Sequence, residues 1–333
     1  MTAVWVAVAF LLILAALGLF AEIHARWVEK RYPPIGDLVP IEGGALHVVE
    51  APAQGLEHGV VLLLHGASGN HADMMLALAR PLTALGFRVI GVDRPGHGWS
   101  ERILRRRASS PARQAALIRA VLTAKGVDEA IVVGHSFAGV VALAMALDAP
   151  EFTRALVLLA PVSHPWPGGV NWHYRMAAAG AFGLAFCRFI VTPAGLVLLR
   201  PGLREVFLPN KVPANYVEST GLKLVFRPRH FRANAEDVAD LKPFVTAQAA
   251  RCGSITAPTE IVTGDADGVV FTHVHSIGCA RDIPGAVLTT LPGVGHSPHH
   301  SATEDVVAAI VRADERARAR EPIYERQAVR AAL

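Results

Sequence analysis

Ile131-Val132-Val133-Gly134-His135-Ser136-Phe137-Ala138-Gly139 decides how this chain of 333 residues is read. An apolar, β-branched run ends at a glycine, a serine follows, and small residues lead into Val140-Val141-Ala142-Leu143. Such a run favours a strand, and the residues after it read as a helix. A serine on a tight strand-to-helix turn has its hydroxyl lifted above the sheet. The turn is cramped, so the residues two before and two or three after must be small. Gly134, Ala138 and Gly139 meet that need. The usual pattern is G-x-S-x-G; here Ala138 holds the second glycine position and Gly139 comes one later.

Three other segments fall in a telling order. Upstream, Val60-Val61-Leu62-Leu63-Leu64 opens into His65-Gly66-Ala67-Ser68-Gly69-Asn70, a buried strand followed by a glycine-containing turn. Acyl transfer needs backbone N–H donors aimed at a developing oxyanion, each worth roughly 3–4 kcal/mol. Ala67 and Phe137 are the candidates. Downstream, Glu260-Ile261-Val262-Thr263-Gly264 precedes Asp265-Ala266-Asp267, and Leu291-Pro292-Gly293-Val294-Gly295 precedes His296. Ser136, an aspartate and His296 thus follow one of the known chain orders of the catalytic triad.

With Asp93-Arg94-Pro95-Gly96-His97-Gly98-Trp99-Ser100 added, five segments in order make the chain resemble the α/β-hydrolase family over roughly residues 40 to 312. The resemblance implies a mostly parallel sheet with helices on both faces and an inserted helical lid. Ser136 places the chain beside esterases, lipases, C–C bond hydrolases and cofactor-free haloperoxidases. It argues against the dehalogenase and epoxide hydrolase branches, which carry an aspartate there. The family's acid usually lies three residues past the strand-end glycine, which favours Asp267 over Asp265. Asp265 is expected to cap the turn. The family's base directly follows a glycine, which favours His296 over His299 and His300, the latter two read as a rim feature. His135 is expected to pack under the elbow, and His65 to tie down the oxyanion loop. No metal or organic cofactor is implied.

Composition narrows the field. Hydrophobic residues make up 52% and charged ones 18%, which suits a large buried core and not a disordered chain. The net charge is +4, with basic residues dispersed apart from Arg105-Arg106-Arg107, read as a solvated loop. Nothing supports nucleic acid binding. Cys187, Cys252 and Cys279 are odd in number and widely spaced, so they read as buried thiols.

The N-terminus points to a membrane. Ala3 to Ala21 hold no charged side chain, and such a helix spans about 28 Å at 1.5 Å per residue, close to the roughly 30 Å of a bilayer's hydrocarbon. No basic residue precedes the run, and it exceeds the usual apolar core of a secretory signal. A single-pass anchor is the favoured reading, with a signal peptide the alternative. Arg26, Lys30 and Arg31 follow the span, which places the catalytic domain in the cytoplasm.

The expected organisation is a transmembrane anchor at 1–25, a connector at 26–44, the first part of the core at 45–160, a helical lid at 161–240, the second part of the core at 241–318 and a frayed tail at 319–333. Strands are expected at about 45–50, 59–64, 87–92, 130–134, 155–160, 259–264 and 286–291. Between the third and fourth, Ser110, Pro111 and Gly126 punctuate a helix. Ala177 to Leu203 is broadly apolar; Arg188 and Pro193 argue against a second span and for a lid. Trp166, Trp172, Tyr174, Phe182, Phe186 and Phe189 are candidates to line an acyl pocket or to pack the lid. The expected activity is hydrolysis of a small-molecule carboxylic ester with an apolar acyl group. C–C bond hydrolysis of a dienoic keto-acid, with Arg175 or Arg188 as pocket cation, and a non-catalytic binding module are the alternatives.

Overall fold

The computed structural model describes residues 1–320. The tail expected beyond Arg320 lies outside the described residues. The chain runs α1 (Thr2–Arg31), β1 (Asp37–Ile41), β2 (Gly44–Ala51), β3 (Gly59–Leu64), α2 (His71–Ala84), β4 (Phe87–Val92), α3 (Pro111–Ala124) and β5 (Ala130–His135). It continues through α4 (Ala138–Asp148), β6 (Thr153–Leu159), α5 (Trp172–Ala177), α6 (Gly180–Phe186), α7 (Thr192–Phe207), α8 (Tyr216–Ser219) and α9 (Pro228–Ala249). The last elements are β7 (Thr259–Gly264), α10 (Ser276–Asp282), β8 (Val287–Leu291), α11 (Pro298–Ser301) and α12 (Thr303–Arg320).

One eight-stranded sheet has the order β1-β2-β4-β3-β5-β6-β7-β8. The β1–β2 and β2–β4 pairs are antiparallel, and all pairs from β4 to β8 are parallel. Parallel strands covered on both faces need apolar residues on both. The side chains of β3 and β5 divide accordingly. Leu62, Leu64 and Val132 join α3 and α4 in one core layer, while Val61, Leu63, Ile131 and Val133 join α2 and α12 in the other. The period-2 alternation of a strand makes that division.

Three boundaries differ from the sequence reading. The helix expected to end near residue 25 runs to Arg31, and Gly18, Ala21, His24 and Val28 are buried along one side of it. Their spacing of three to four residues is a helical face, and it packs on the lid. Arg227 pairs with Glu29 at 3.1 Å, and Trp99 Nε1 donates to Tyr32 O at 2.9 Å. The expected connector at 26–44 therefore holds the end of α1 and an eighth strand, β1. Pro40 is tolerated there because β1 is an edge strand. At the lid's far end, α9 crosses residue 240 without a break.

The α3 start also differs in detail. Pro111 occupies the first turn as expected, but the Ser110 side chain makes no capping bond. All three cysteines are free and buried. Between β6 and α9 the lid contains a continuous helical run from Gly180 to Phe207, with Cys187–Val191 in π-helical form between α6 and α7. Both Thr2–Arg31 and Gly180–Phe207 are long and apolar enough to cross a membrane by length and composition.

Candidate active site

Ser136 follows the last residue of β5 and precedes α4, with φ at +53°. That backbone strain is unusual for a side-chain-bearing residue and is held by packing around the turn. A Cβ at Gly134 would sit 2.6 Å from Ala138 O, and one at Gly139 would sit 2.5 Å from Pro161 Cβ. Ala138 is buried, and its methyl group is accommodated. The elbow therefore needs glycine before and just after the turn, and tolerates alanine between.

The loops after β7 and β8 bring the other two groups to the serine. His296 Nε2 lies 2.8 Å from Ser136 Oγ, and His296 Nδ1 lies 2.9 Å from Asp267 Oδ2. Close approach of the two loops depends on Gly264, where a Cβ would fall 1.9 Å from Val294 O. Asp267 Oδ1 also accepts the Val269 and Val270 amides at 2.8 and 3.0 Å. Burial pushes the Asp267 carboxyl up, but the His296 ring and those two amides outweigh it and hold the group below the usual carboxylate range. Asp265 points elsewhere. It is exposed and accepts the Gly293 amide at 2.7 Å, so it caps the turn of the histidine loop.

On the other side of Ser136 lies the turn after β3. A Cβ on Gly66 would be 3.1 Å from Ser136 Cβ, so this loop lies against the elbow. Among the described residues no acceptor takes the Ala67 or Phe137 N–H. His65 fixes the loop from beneath: Nε2 accepts the Arg94 amide at 3.0 Å, and Nδ1 bonds Gly66 O at 2.8 Å. Burial, with Arg94 close by, pushes its pKa down to about 3.

The sequence profile of the alpha/beta hydrolase fold family matches residues 59–303. The chain belongs to the alpha/beta hydrolase fold family. It is 30% identical to the magnesium-chelatase 30 kDa subunit of Rhodobacter capsulatus, over 76% of this chain and 85% of that one. It is 26% identical to 2-hydroxy-6-oxononadienedioate/2-hydroxy-6-oxononatrienedioate hydrolase of Comamonas testosteroni, over 72% of this chain and 82% of the relative. Among solved structures, an esterase from Exiguobacterium antarcticum superposes with a TM-score of 0.67 at 18% identity, covering 84% of this chain and 100% of that one.

Asn234 and Asp73, which shape this hydrolase's site, carried no readable signal in the sequence. Asn234, from α9, accepts the Ser68 amide at 2.7 Å and donates to Ser68 Oγ at 3.0 Å, clamping the turn after β3 from the lid side. Arg94 is fully buried, pairs with Asp237 at 2.8 Å and stacks on Phe137 at 4.3 Å. Asp73 gathers Tyr216 Oη at 2.6 Å and His300 Nε2 at 2.9 Å on Oδ1, with His299 Nε2 3.3 Å from both oxygens. His299 is thus fully buried rather than on a rim. His135 packs on both His296 and His299, and its Nε2 donates to His296 O at 2.9 Å, bracing the histidine loop.

Two buried clusters place three possible metal-ligand atoms within 4.8 Å of one another: Asp73 with His299 and His300, and Asp93 with His47 and His71. In both, ring nitrogens lie within hydrogen-bond reach of the carboxylate. The lid aromatics divide. The Tyr174 hydroxyl reaches Ser68 and Asn234, and Trp166 packs on the core. Trp172 and Phe182 are 63% and 58% exposed, so they line no pocket. Arg106, expected in a solvated loop, forms a two-pronged pair with Asp240.

Proposed function

We propose that this hydrolase is a membrane-tethered serine esterase acting on carboxylic esters with an apolar acyl group. The observation that carries the reading is the unbroken chain from Ser136 Oγ through the His296 ring to Asp267. Neutral His296 takes the Ser136 proton at Nε2 as the hydroxyl oxygen attacks the ester carbon. Asp267 fixes the proton on Nδ1 and stabilises the imidazolium that forms. The Ala67 and Phe137 amides receive the oxyanion. Collapse expels the alcohol, which takes the proton back from His296. Water then attacks the acyl-enzyme by the same route and releases the acid. The cycle uses no metal or organic cofactor.

C–C bond hydrolysis would use the same three residues but calls for a cationic group facing the substrate. Arg175 and Arg188 are both at the surface, and Arg188 bonds Gly18 O. The complete set of three groups argues against a purely binding role. α1 forms the tether, with the catalytic domain on the cytoplasmic side as Arg26, Lys30 and Arg31 direct. A fluorophosphonate probe tests the chemistry. It should label Ser136 alone, as found by peptide mapping; labelling that persists in Ser136→Ala sinks the assignment. A series of esters of graded acyl length then defines the substrate.

A further inference from the structure

We infer that the outer face of the lid docks on the surface of an anionic bilayer, next to the point where α1 enters it. The inference rests on the membrane tether proposed above and adds a second contact. Its first support is a face with nothing over it. Val197, Leu198 and Phe182 are 77%, 61% and 58% exposed, and Ile190 and Val206 are exposed as well. An apolar patch of this kind marks an interaction site on a stable fold.

The second support is the fit between lid and anchor. Arg188 Nη2 donates to Gly18 O at 3.2 Å, and a Cβ on Gly18 would lie 3.1 Å from the Phe189 ring. From Gly18 onward α1 is therefore held by the folded body. The free part is Thr2–Leu17, exposed or half-exposed throughout, and about 24 Å long at 1.5 Å per residue. A bilayer's hydrocarbon is roughly 30 Å thick. The shortfall of about 6 Å equals about four residues, which carries the lipid boundary to the level of Ala21. That level is where the lid's π-helical segment packs. Tilting the helix enlarges the deficit, so the bilayer meets the lid.

Charge gives the third support. Residues 172–211 hold Arg175, Arg188, Arg200, Arg204 and Lys211 against a single acid, Glu205. Basic side chains around an apolar face suit an interface with anionic headgroups. The run does not cross the bilayer as a second span, because its inner face is committed to the fold. Cys187, Thr192 and Phe207 are buried, and Thr192 Oγ1 donates to Phe226 O at 2.8 Å.

The test uses the full chain reconstituted in phosphatidylcholine vesicles with and without phosphatidylglycerol. Because the native cysteines are buried, an environment-sensitive thiol fluorophore can report from Val197→Cys, Ile13→Cys and Glu151→Cys in turn. Glu151 lies at the end of the sheet away from the lid. The probe at position 197 should be quenched by lipid-borne nitroxide several-fold more than the probe at 151, and more strongly when phosphatidylglycerol is present. If position 13 is quenched but 197 behaves like 151 toward aqueous iodide, the tether stands and the docking is wrong. If position 13 is unquenched, the tether reading fails and the docking with it. Shielding of position 197 from both lipid and aqueous quenchers means a second copy of the chain covers the face, which also overturns the proposal. The variant carrying Val197→Asp and Leu198→Asp should hydrolyse a vesicle-embedded ester at least tenfold more slowly; an unchanged rate overturns it.

Discussion

The helix after the elbow and the helical run of the lid are both rich in apolar residues and have opposite surroundings. Ala138 to Ala146 are all buried, so α4 is apolar around its whole circumference because protein surrounds it. In α7 only Thr192 and Phe207 are buried, and the remaining apolar side chains look outward or lie half-covered. The first region is apolar because the fold needs it; the second exceeds what the fold needs. Sequence hydrophobicity alone does not distinguish the two, whereas a change made in each region does.

The largest expected effect belongs to the elbow region and its partners. Asp267→Asn should lower ester turnover by about 10⁴-fold, because an amide cannot hold the His296 tautomer that accepts the serine proton. Asp265→Asn should cost far less, since its carboxylate only caps the Gly293 turn. Steady-state kinetics of both variants on one soluble ester decide the matter. A reversal of the two would move the triad acid to Asp265.

Next comes a change of one methyl group. Gly134→Ala places a Cβ 2.6 Å from Ala138 O and 2.8 Å from Ala142 Cβ. Overpacking of this kind costs about 1–3 kcal/mol, and the backbone that presents Ser136 must shift to relieve it. Urea unfolding should show the loss of stability, with turnover falling as well. An unaltered midpoint would mean that the turn is less tightly held than its contacts imply.

Much of this region was legible, because its constraints are local or ordered along the chain. The Gly134-His135-Ser136 turn, the Asp267 and His296 loops and seven of the eight strands follow from short patterns. The Asp73 cluster and the Asn234 clamp were not. Their partners lie 226 and 166 residues apart, and no periodicity links an N-terminal helix turn to a loop at the far end of the chain. α1 is a different case. The Gly18, Ala21, His24, Val28 spacing is visible in the sequence, but the charged residues from Glu22 onward disguise the face as the end of a span. A soluble form should therefore be cut before Gly18, since removal to residue 25 strips a packed face from the lid.

A pH series reads the buried histidines of the fold. Burial is the main cause holding His65 and His230 down to about 3 and His275 to about 4. His275 Nδ1 accepts the Ser163 and His164 amides, both at 3.2 Å, so its ring has no place for a second proton. Unfolded histidines take up protons near pH 6.5. The unfolded chain therefore binds more protons between that value and the folded ones, and stability rises with pH through the window. It is fully present above about pH 6.5 and is lost progressively on acidification toward 4, by about 1.4 kcal/mol per pH unit for each proton of difference. Urea midpoints at pH 7 and 5 measure the slope, and His275→Asn should make it shallower.

The smallest expected effect is the one that most sharpens the contrast. Val197→Asn exchanges an apolar side chain for a polar one at a position 77% exposed. An exposed substitution that breaks no contact changes stability by less than about 0.5 kcal/mol, so the detergent-solubilised protein should unfold at an unchanged urea midpoint. The same exchange at Val141, fully buried in α4, strands an amide in the core and should cost about 2 kcal/mol or more. If Val197→Asn proved as damaging as Val141→Asn in detergent, the lid face would be packed within the protein, and its hydrophobicity would need no membrane to account for it. If instead it is silent in detergent and slows hydrolysis of an ester embedded in anionic vesicles, the lid is apolar for its surroundings and α4 for the fold.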